Sequence, residues 1–304
     1  MNIDVKERLE AAIEKYGLSK AQAARELNYS PSVISEYLKG SYRGDVAKLE
    51  EAAVRWIARQ AKARERKRVP VVETESLRRA ANALQIAHAE KDIALVIGDA
   101  GAGKSTAAAW YAKNNEKSTV LVNVFTGMNR RMLVQEIARQ LSLDADRVPA
   151  NTLVANVSDA LLERDMIVIV DEADYLRDDA LEFARRLVYD LGQSGLALIG
   201  LPRLRHRIQN LRSDHRQLES RIGVFLPLPG LTRQDAVAIA ESVWPGVARK
   251  VVDAVYGASK TDTRQFAKII ERMQGAMAVN GVAEPDVEIA GLAASLVLRR
   301  GGGA

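Results

Sequence analysis

Residues 93–106 read IALVIGDAGAGKST, and this stretch decides the fold. Its first five residues are an unbroken apolar run, the signature of a strand buried on both faces. The next nine, GDAGAGKST, match the pattern G-x-x-x-x-G-K-[ST], and residues 104–113 then read as a helix. The chemistry explains the spacing. Gly98, Gly101 and Gly103 let the backbone wrap closely round phosphate groups with its N–H groups pointing inward. Lys104 offers a positive charge to a β/γ-phosphate pair, and Ser105 a hydroxyl to Mg²⁺. The expected cradle is Gly98, Asp99, Ala100, Gly101, Ala102, Gly103, Lys104, Ser105 and Thr106, with ATP and Mg²⁺ as its occupants.

A second buried strand is expected over residues 166–170, followed by Asp171, Glu172, Ala173 and Asp174 in the stretch IVIVDEADYL, residues 167–176. Asp171 closes the strand, where a carboxylate can join the Mg²⁺ shell together with Ser105. Glu172 is placed to polarise a water for attack on a γ-phosphate. Ala173 and Asp174 have no necessary part in that chemistry. The letters DEAD suggest a helicase of two ATP-binding lobes, but only 130 residues come after Asp174. They must first complete one sheet, with strands near 196–199 and 222–226, and then turn helical. No second lobe fits.

Strands alternating with helices from Asp92 onward predict an α/β fold with a parallel sheet and helices on both faces. Helices near 232–242, 247–257, 262–279 and 284–298 form a small all-α lid after it. Ahead of the sheet lies a different kind of sequence. Apolar residues at helical spacing over 3–15 are followed by a short helix, 18–27, with Ser19 as its cap. Asn28 and Tyr29 make a turn, and Pro31 opens a second helix that runs to Leu38. This is a helix-turn-helix pattern, followed by a helix from about 45 to 66 and by the linker VPVVET, residues 69–74. The expected division is a helix-turn-helix domain over 1–66, a linker and leading helix over 67–92, an ATPase core over 93–228 and a lid over 229–304.

Charge supports the division. Residues 1–70 hold 15 Lys and Arg against 10 Asp and Glu, whereas residues 71–304 hold 29 of each. The whole basic excess sits at the front, densest in residues 62–68, and a polyanion such as double-stranded DNA is the natural partner. Ser30, Ser32, Val33 and Ser35 would face the groove, with Lys39, Tyr42 and Arg43 near phosphates. The competing reading is a small helical bundle that binds protein. There is no cysteine, which excludes disulfides and thiol chemistry and fits a cytoplasmic setting. No apolar run approaches a membrane span, no N-terminal signal is expected, and His88, His206 and His215 fit no metal-site spacing.

A phosphate-loop sheet capped by a helical bundle resembles the AAA+ family. Two arginines match that family's motifs. Arg221, just before the last strand, lies where the resemblance implies an arginine finger reaching a neighbouring subunit's γ-phosphate. Arg264, opening a lid helix, lies where it implies a nucleotide-sensing arginine. One departure stands out. The strand near 196–199 ends in Gly200, Leu201 and Pro202, where the family usually carries a polar residue, and a slow, switch-like ATPase is the expectation.

The whole order, with residues 19–40, 72–74, 98–106, 167–176 and 257–270 as the carrying stretches, resembles the phage Mu-type transposition protein B family within AAA+. The resemblance implies an ATP-dependent, largely sequence-independent DNA-binding protein that assembles as helical filaments on DNA. Such a protein delivers target DNA to a DDE-type transposase, stimulates strand transfer, and leaves DNA when the transposase stimulates hydrolysis. For DNA contact in the core, Asn129, Arg130 and Arg131 open a helix after a strand expected over residues 120–124, with residues 203–207, RLRHR, as a second candidate for DNA or a subunit interface. Two rival functions remain open on the sequence: an ATP-controlled helix-turn-helix regulator of one operator, and a helicase loader.

Overall fold

The computed structural model describes residues 5–15, 18–65, 69–210 and 217–298, the side chains of residues 59–65 and of Leu298 excepted. The chain divides into two compact units, residues 1–68 and 69–304.

The first unit is helical: α1 (Val5–Lys15), α2 (Lys20–Leu27), α3 (Pro31–Lys39) and α4 (Val46–Glu65). Ser19 caps α2 in a reciprocal capping box with Gln22, so two N–H groups at that end find partners. The helix stops because Asn28 turns left-handed at φ 60°, a conformation Asn tolerates better than most residues. Ser30 caps α3 and Pro31 occupies its first turn. Ala23 and Ala24 are fully buried, which lets the helices approach closely around Leu9, Ile34, Leu49 and Trp56.

The second unit opens with α5 (Glu75–Ala89). Its sheet comprises β1 (Ile93–Ile97), β2 (Thr119–Asn123), β3 (Ile167–Asp171), β4 (Gly195–Gly200) and β5 (Ile222–Pro227). All pairings are parallel, in the order β2-β3-β4-β1-β5. Alternation along each strand feeds two cores. Ile93, Leu95, Val168, Val170, Leu196 and Leu198 face one side. There they meet α7 (Arg130–Gln140), α8 (Ala150–Leu162), α9 (Asp178–Ala184) with its π-helical continuation Arg185–Leu191, and α10 (Pro202–Gln209). Ala94, Val96, Ile169 and Ile199 face the other side, against α5 and α6 (Lys104–Asn114). The sheet with helices on both faces is therefore the expected one, with β2 beginning and ending one residue before the strand expected over 120–124.

The lid is α11 (Arg233–Val243), α12 (Arg249–Ser259), α13 (Thr263–Asn280) and α14 (Val287–Leu298) around its own core of Phe266, Ile269, Ile270 and Met273. It is tied to the start of the unit by one buried carboxylate. Asp235, 2% exposed, accepts hydrogen bonds from the Glu75 N–H at 2.9 Å and the Ser76 hydroxyl at 2.5 Å. Val69 and Val72 pack on the lid core as well, so residues 69–76 form a strap fastened to the lid. Truncating Asp235 leaves two donors without partners. Asp235→Ala is therefore expected to cost about 1–3 kcal/mol of stability, read as a lower unfolding midpoint, with Asp235→Asn milder because one acceptor survives.

Candidate nucleotide site

In an open parallel sheet, ligands bind beyond the carboxyl ends of the strands, where the strand order reverses. Here β4 separates β1 from β3, so the loop after β1 and the acidic turn after β3 face one another across the end of β4. Between them and the lid lies a cleft of about 470 Å³.

One end of the cleft is polar. Gly101 and Gly103 adopt φ of +80° and +87°, which a residue with a Cβ would resist, and the second lets α6 begin without a side-chain cap. The free N–H groups of the first turn of α6 are an anion site. Lys104 is buried, and its ammonium donates to the carbonyls of Gly98 at 2.7 Å and Asp99 at 2.8 Å. Burial pushes its pKa below the ordinary lysine value, while the charges of Asp171, Asp174 and Asp99 oppose the fall. Ser105 is exposed on the same turn. Across the cleft, Asp171 is 3% exposed and accepts from the Glu172 N–H at 2.9 Å.

Glu172 is exposed and left-handed, at φ 57° and ψ 34°. For a side chain of this size that is a strained conformation, of the kind that persists where the surroundings enforce it. The Asp171 carboxylate and the Ser105 hydroxyl form an all-oxygen pair suited to a hard cation that also takes phosphate oxygens, as Mg²⁺ does. Among the described residues no cluster of three or more His, Cys, Asp or Glu could hold a metal ion.

The other end is apolar. Val69, Pro70 and Val72 of the strap, Leu228 after β5, and Leu231 and Ile239 of the lid line it. A greasy slot continuous with a charged cradle suits a planar base joined to phosphates. The lid touches the cradle directly. The Thr263 N–H donates to the Gly101 carbonyl at 2.9 Å, and a Cβ on Gly101 would overlap the carboxylate of Asp262. Arg264, next in α13, lines the cleft, and its charge bears on Lys104.

The structure thus brings Ala100 to Thr106, Asp171, Glu172 and Arg264 together in one cleft, with Gly98 and Asp99 holding the Lys104 ammonium. Arg221 does not line it. That side chain pairs with Asp190 and lies 5.7 Å from the Tyr189 ring, beside the buried Arg185 that also pairs with Asp190. The DNA candidates divide similarly. Asn129 spends its side-chain oxygen on the Met132 N–H as the cap of α7, Arg130 pairs with Asp179 at 3.3 Å, and Arg131 is exposed. Ser32, Lys39 and Arg43 are exposed in the first unit, Ser35 is half-buried, and Ser30 is a cap whose hydroxyl also meets Ser32.

In the arginine-rich run, Arg203 and Arg207 are committed to Asp174 and Asp178, and Arg205 lies over the Phe225 ring at 4.1 Å. The side chains of the basic run 62–68, and His215, lie outside the described residues. His88 packs inside, bonded to the Tyr111 hydroxyl, whose pKa burial and Asp165 push up to about 12. Two contributors carry no signal in the sequence. The strap reads there as a plain linker, because VPVV is too short and irregular for a strand and its lid contacts are non-local. Asp174 has no necessary role in the motif chemistry, yet it is buried in the cleft wall.

Comparison with known proteins agrees with this geometry. An AAA domain model matches residues 87–208. Mu-like prophage FluMu DNA transposition protein B of Haemophilus influenzae is 26% identical over 230 residues, 74% of this chain and 80% of that protein. The ATP-dependent target DNA activator B proteins of Escherichia phages D108 and Mu are each 26% identical over 250 residues, 80% of this chain and 78% of theirs. The chain is a homologue of the Mu and Mu-like phage transposition protein B. The Aeropyrum pernix ORC2 protein, in its ADPNP-ADP complexes, superposes with a TM-score of 0.57 at 17% identity, covering 74% of this chain and 68% of that one. The fold is that of the AAA+ proteins, a five-stranded parallel sheet with N-terminal helices and a C-terminal helical lid. Among the described residues no helix is long and apolar enough to cross a membrane.

Nucleotide affinity tests the cleft. Lys104→Ala, which removes a charged donor, is expected to weaken ATP binding about tenfold or more in a calorimetric titration. Gly101→Ala should do the same by displacing the lid, and adding Asp262→Ser, a shorter cap, should recover part of the loss.

Proposed function

We propose that the chain is an ATP-dependent target-DNA activator: a nucleotide-controlled DNA-binding ATPase that presents DNA to a transposase. The observation that carries this reading is the single cleft in which a phosphate cradle, an Asp-Glu pair and a lid arginine converge, in a homologue of the phage activators.

In the proposed reaction ATP lies with its base in the apolar slot and its phosphates on the loop and the start of α6. Lys104 neutralises charge on the β- and γ-phosphates. Ser105 and Asp171 would hold Mg²⁺, which supplies further charge neutralisation when bound. Glu172 accepts a proton from a water as its oxygen bonds to the γ-phosphorus. The bond from that phosphorus to the β,γ-bridging oxygen breaks, and ADP and phosphate leave. Arg264 reports on the nucleotide from the lid side. Arg221 lies outside its own cleft, as suits a finger offered to a neighbouring subunit, with Asp190 holding it in the isolated chain. ATP would then bridge copies into a filament, and hydrolysis would loosen the interface and release DNA.

For DNA, the exposed Ser32, Lys39 and Arg43 of the first unit and the start of α7, with Asn129, Arg130 and Arg131, are the proposed contacts. The domain division that serves this function is a helix-turn-helix module over 1–66, a linker and leading helix over 67–92, a core over 93–228 and a lid over 229–304, all acting in the bacterial cytoplasm.

Three experiments decide. Electron microscopy with ATP and random-sequence DNA should show continuous filaments, persistent in Glu172→Gln, which should bind ATP without hydrolysing it. Discrete dimers on one preferred sequence would favour instead a regulator built on the α2–turn–α3 pair. Arg221→Ala should lose most DNA-stimulated hydrolysis even at high protein concentration, and full activity there would sink the finger assignment. Affinity for DNA should fall steeply as salt rises, because phosphate contacts release counterions.

A further inference from the structure

We propose that Asp174 and Arg203 are a positioning pair for the hydrolytic site: together they stand in for the polar side chain that the end of β4 lacks and hold the turn carrying Glu172. The proposal rests on the ATPase reading above and adds to it the origin of Glu172's strained conformation.

β4 ends in Ile199 and Gly200, followed by Leu201 and Pro202, none of which offers a polar side chain to the cleft. The space is nonetheless filled by a polar group. A Cβ on Gly200 would stand 2.8 Å from the Asp174 Oδ1, so the missing side chain at 200 is what admits the carboxylate from the neighbouring turn. Asp174 is 7% exposed and uses both oxygens. Oδ1 accepts from the Leu201 N–H at 3.1 Å, and Oδ2 accepts from the Arg203 Nε at 2.9 Å and from the same guanidinium's Nη2. The guanidinium lies 5.4 Å over the Tyr175 ring. Because β4 runs between β1 and β3, Asp174 lines the same cleft as the phosphate loop and Glu172. Asp174 is close enough for its charge to act on Lys104.

The same helix grips the turn from a second side. Arg207 donates to the carbonyls of Asp174 at 2.8 Å and Leu176 at 2.6 Å, and the turn closes on itself through the Tyr175 N–H to the Glu172 carbonyl at 3.0 Å. Glu172 at φ 57° would relax toward ordinary backbone angles if the turn were free. A two-point clamp from α10, side chain by Arg203 and backbone by Arg207, keeps that relaxation closed. Glu172 is thereby kept in the wall of the cleft.

The test compares the full-length wild type, Arg203→Ala, Arg203→Lys, Asp174→Asn and Glu172→Gln in steady-state ATP hydrolysis with DNA. Direct binding of a fluorescently labelled ADP and the unfolding midpoint are measured alongside. Arg203→Ala should lower kcat about tenfold to a hundredfold, as expected when a reacting group is misplaced by an ångström, with KM and ADP affinity close to wild type. Arg203→Lys should restore little, because an ammonium cannot make the two-nitrogen contact. The Asp174→Asn, Arg203→Ala double variant should be little slower than the slower of its two single variants, because the two residues act as one unit.

A merely structural staple would lower the unfolding midpoint and ADP affinity together with kcat, and that result would overturn the proposal. So would an Arg203→Ala enzyme of unchanged kcat beside an inactive Glu172→Gln, which leaves the ATPase reading standing. A wild type that hydrolyses no ATP would remove both. Should Asp174→Asn fail to fold, the half-exposed Arg203 variants carry the comparison alone.

Discussion

Burying the Lys104 ammonium at the carboxyl edge of the sheet is the constraint on which the rest of the second unit depends. An ammonium out of water needs acceptors and opposite charge close by. The Gly98 and Asp99 carbonyls supply the acceptors, and Asp171, Asp174 and Asp99 supply the charge. The carbonyls come from the loop that leaves β1, and two of the carboxylates from the end of β3 and the turn that leaves it. Satisfying this one cation therefore requires the strands to end in register on either side of β4. Phosphates bring further negative charge to the same place, and so a site built to hold the lysine is also built to hold a nucleotide.

The lid depends on that arrangement through the loop it touches. Gly101 turns left-handed, leaves no side chain in the way, and accepts from the Thr263 N–H. The cap of α13, Asp262, and the arginine two residues on are thereby set against the cradle. At the far end of the lid, Asp235 clips the strap and the start of α5. The apolar slot is consequently made by two stretches remote in sequence: the strap, and the segment that runs from the end of β5 into α11. A nucleotide in the slot would touch both at once, which would couple its occupancy to the arrangement of the lid.

Much of this is legible in the chain. The phosphate loop and Asp171-Glu172 are readable because their chemistry demands fixed residue types at fixed spacing, and apolar runs expose the strands that carry them. Ser19, Asn28 and Pro31 mark their helix ends because capping and left-handed turns are local events. Arg264 is placed by resemblance and does line the cleft. Asp174 is illegible for the opposite reason. Its partners, Leu201 and Arg203, lie 27 and 29 residues away, and no local pattern announces a carboxylate that fills the space left by a glycine on another strand. The π-helical turn with the buried Arg185 is equally silent, since its carboxylate partners become a network only when the helix packs.

By itself, then, the sequence determined what was local or periodic: an all-helical front with its basic excess, a parallel α/β sheet, the phosphate loop and the acidic strand end. These arise from residue spacing, backbone preference and charge, which act over a few positions. Tertiary structure alone decided which residues share the cleft, that the linker is one of its walls, and that an aspartate occupies the gap beside Gly200. Those outcomes depend on which strands become neighbours, and strand order is set by packing the whole sheet between its helices, a long-range balance that no short stretch of the chain encodes.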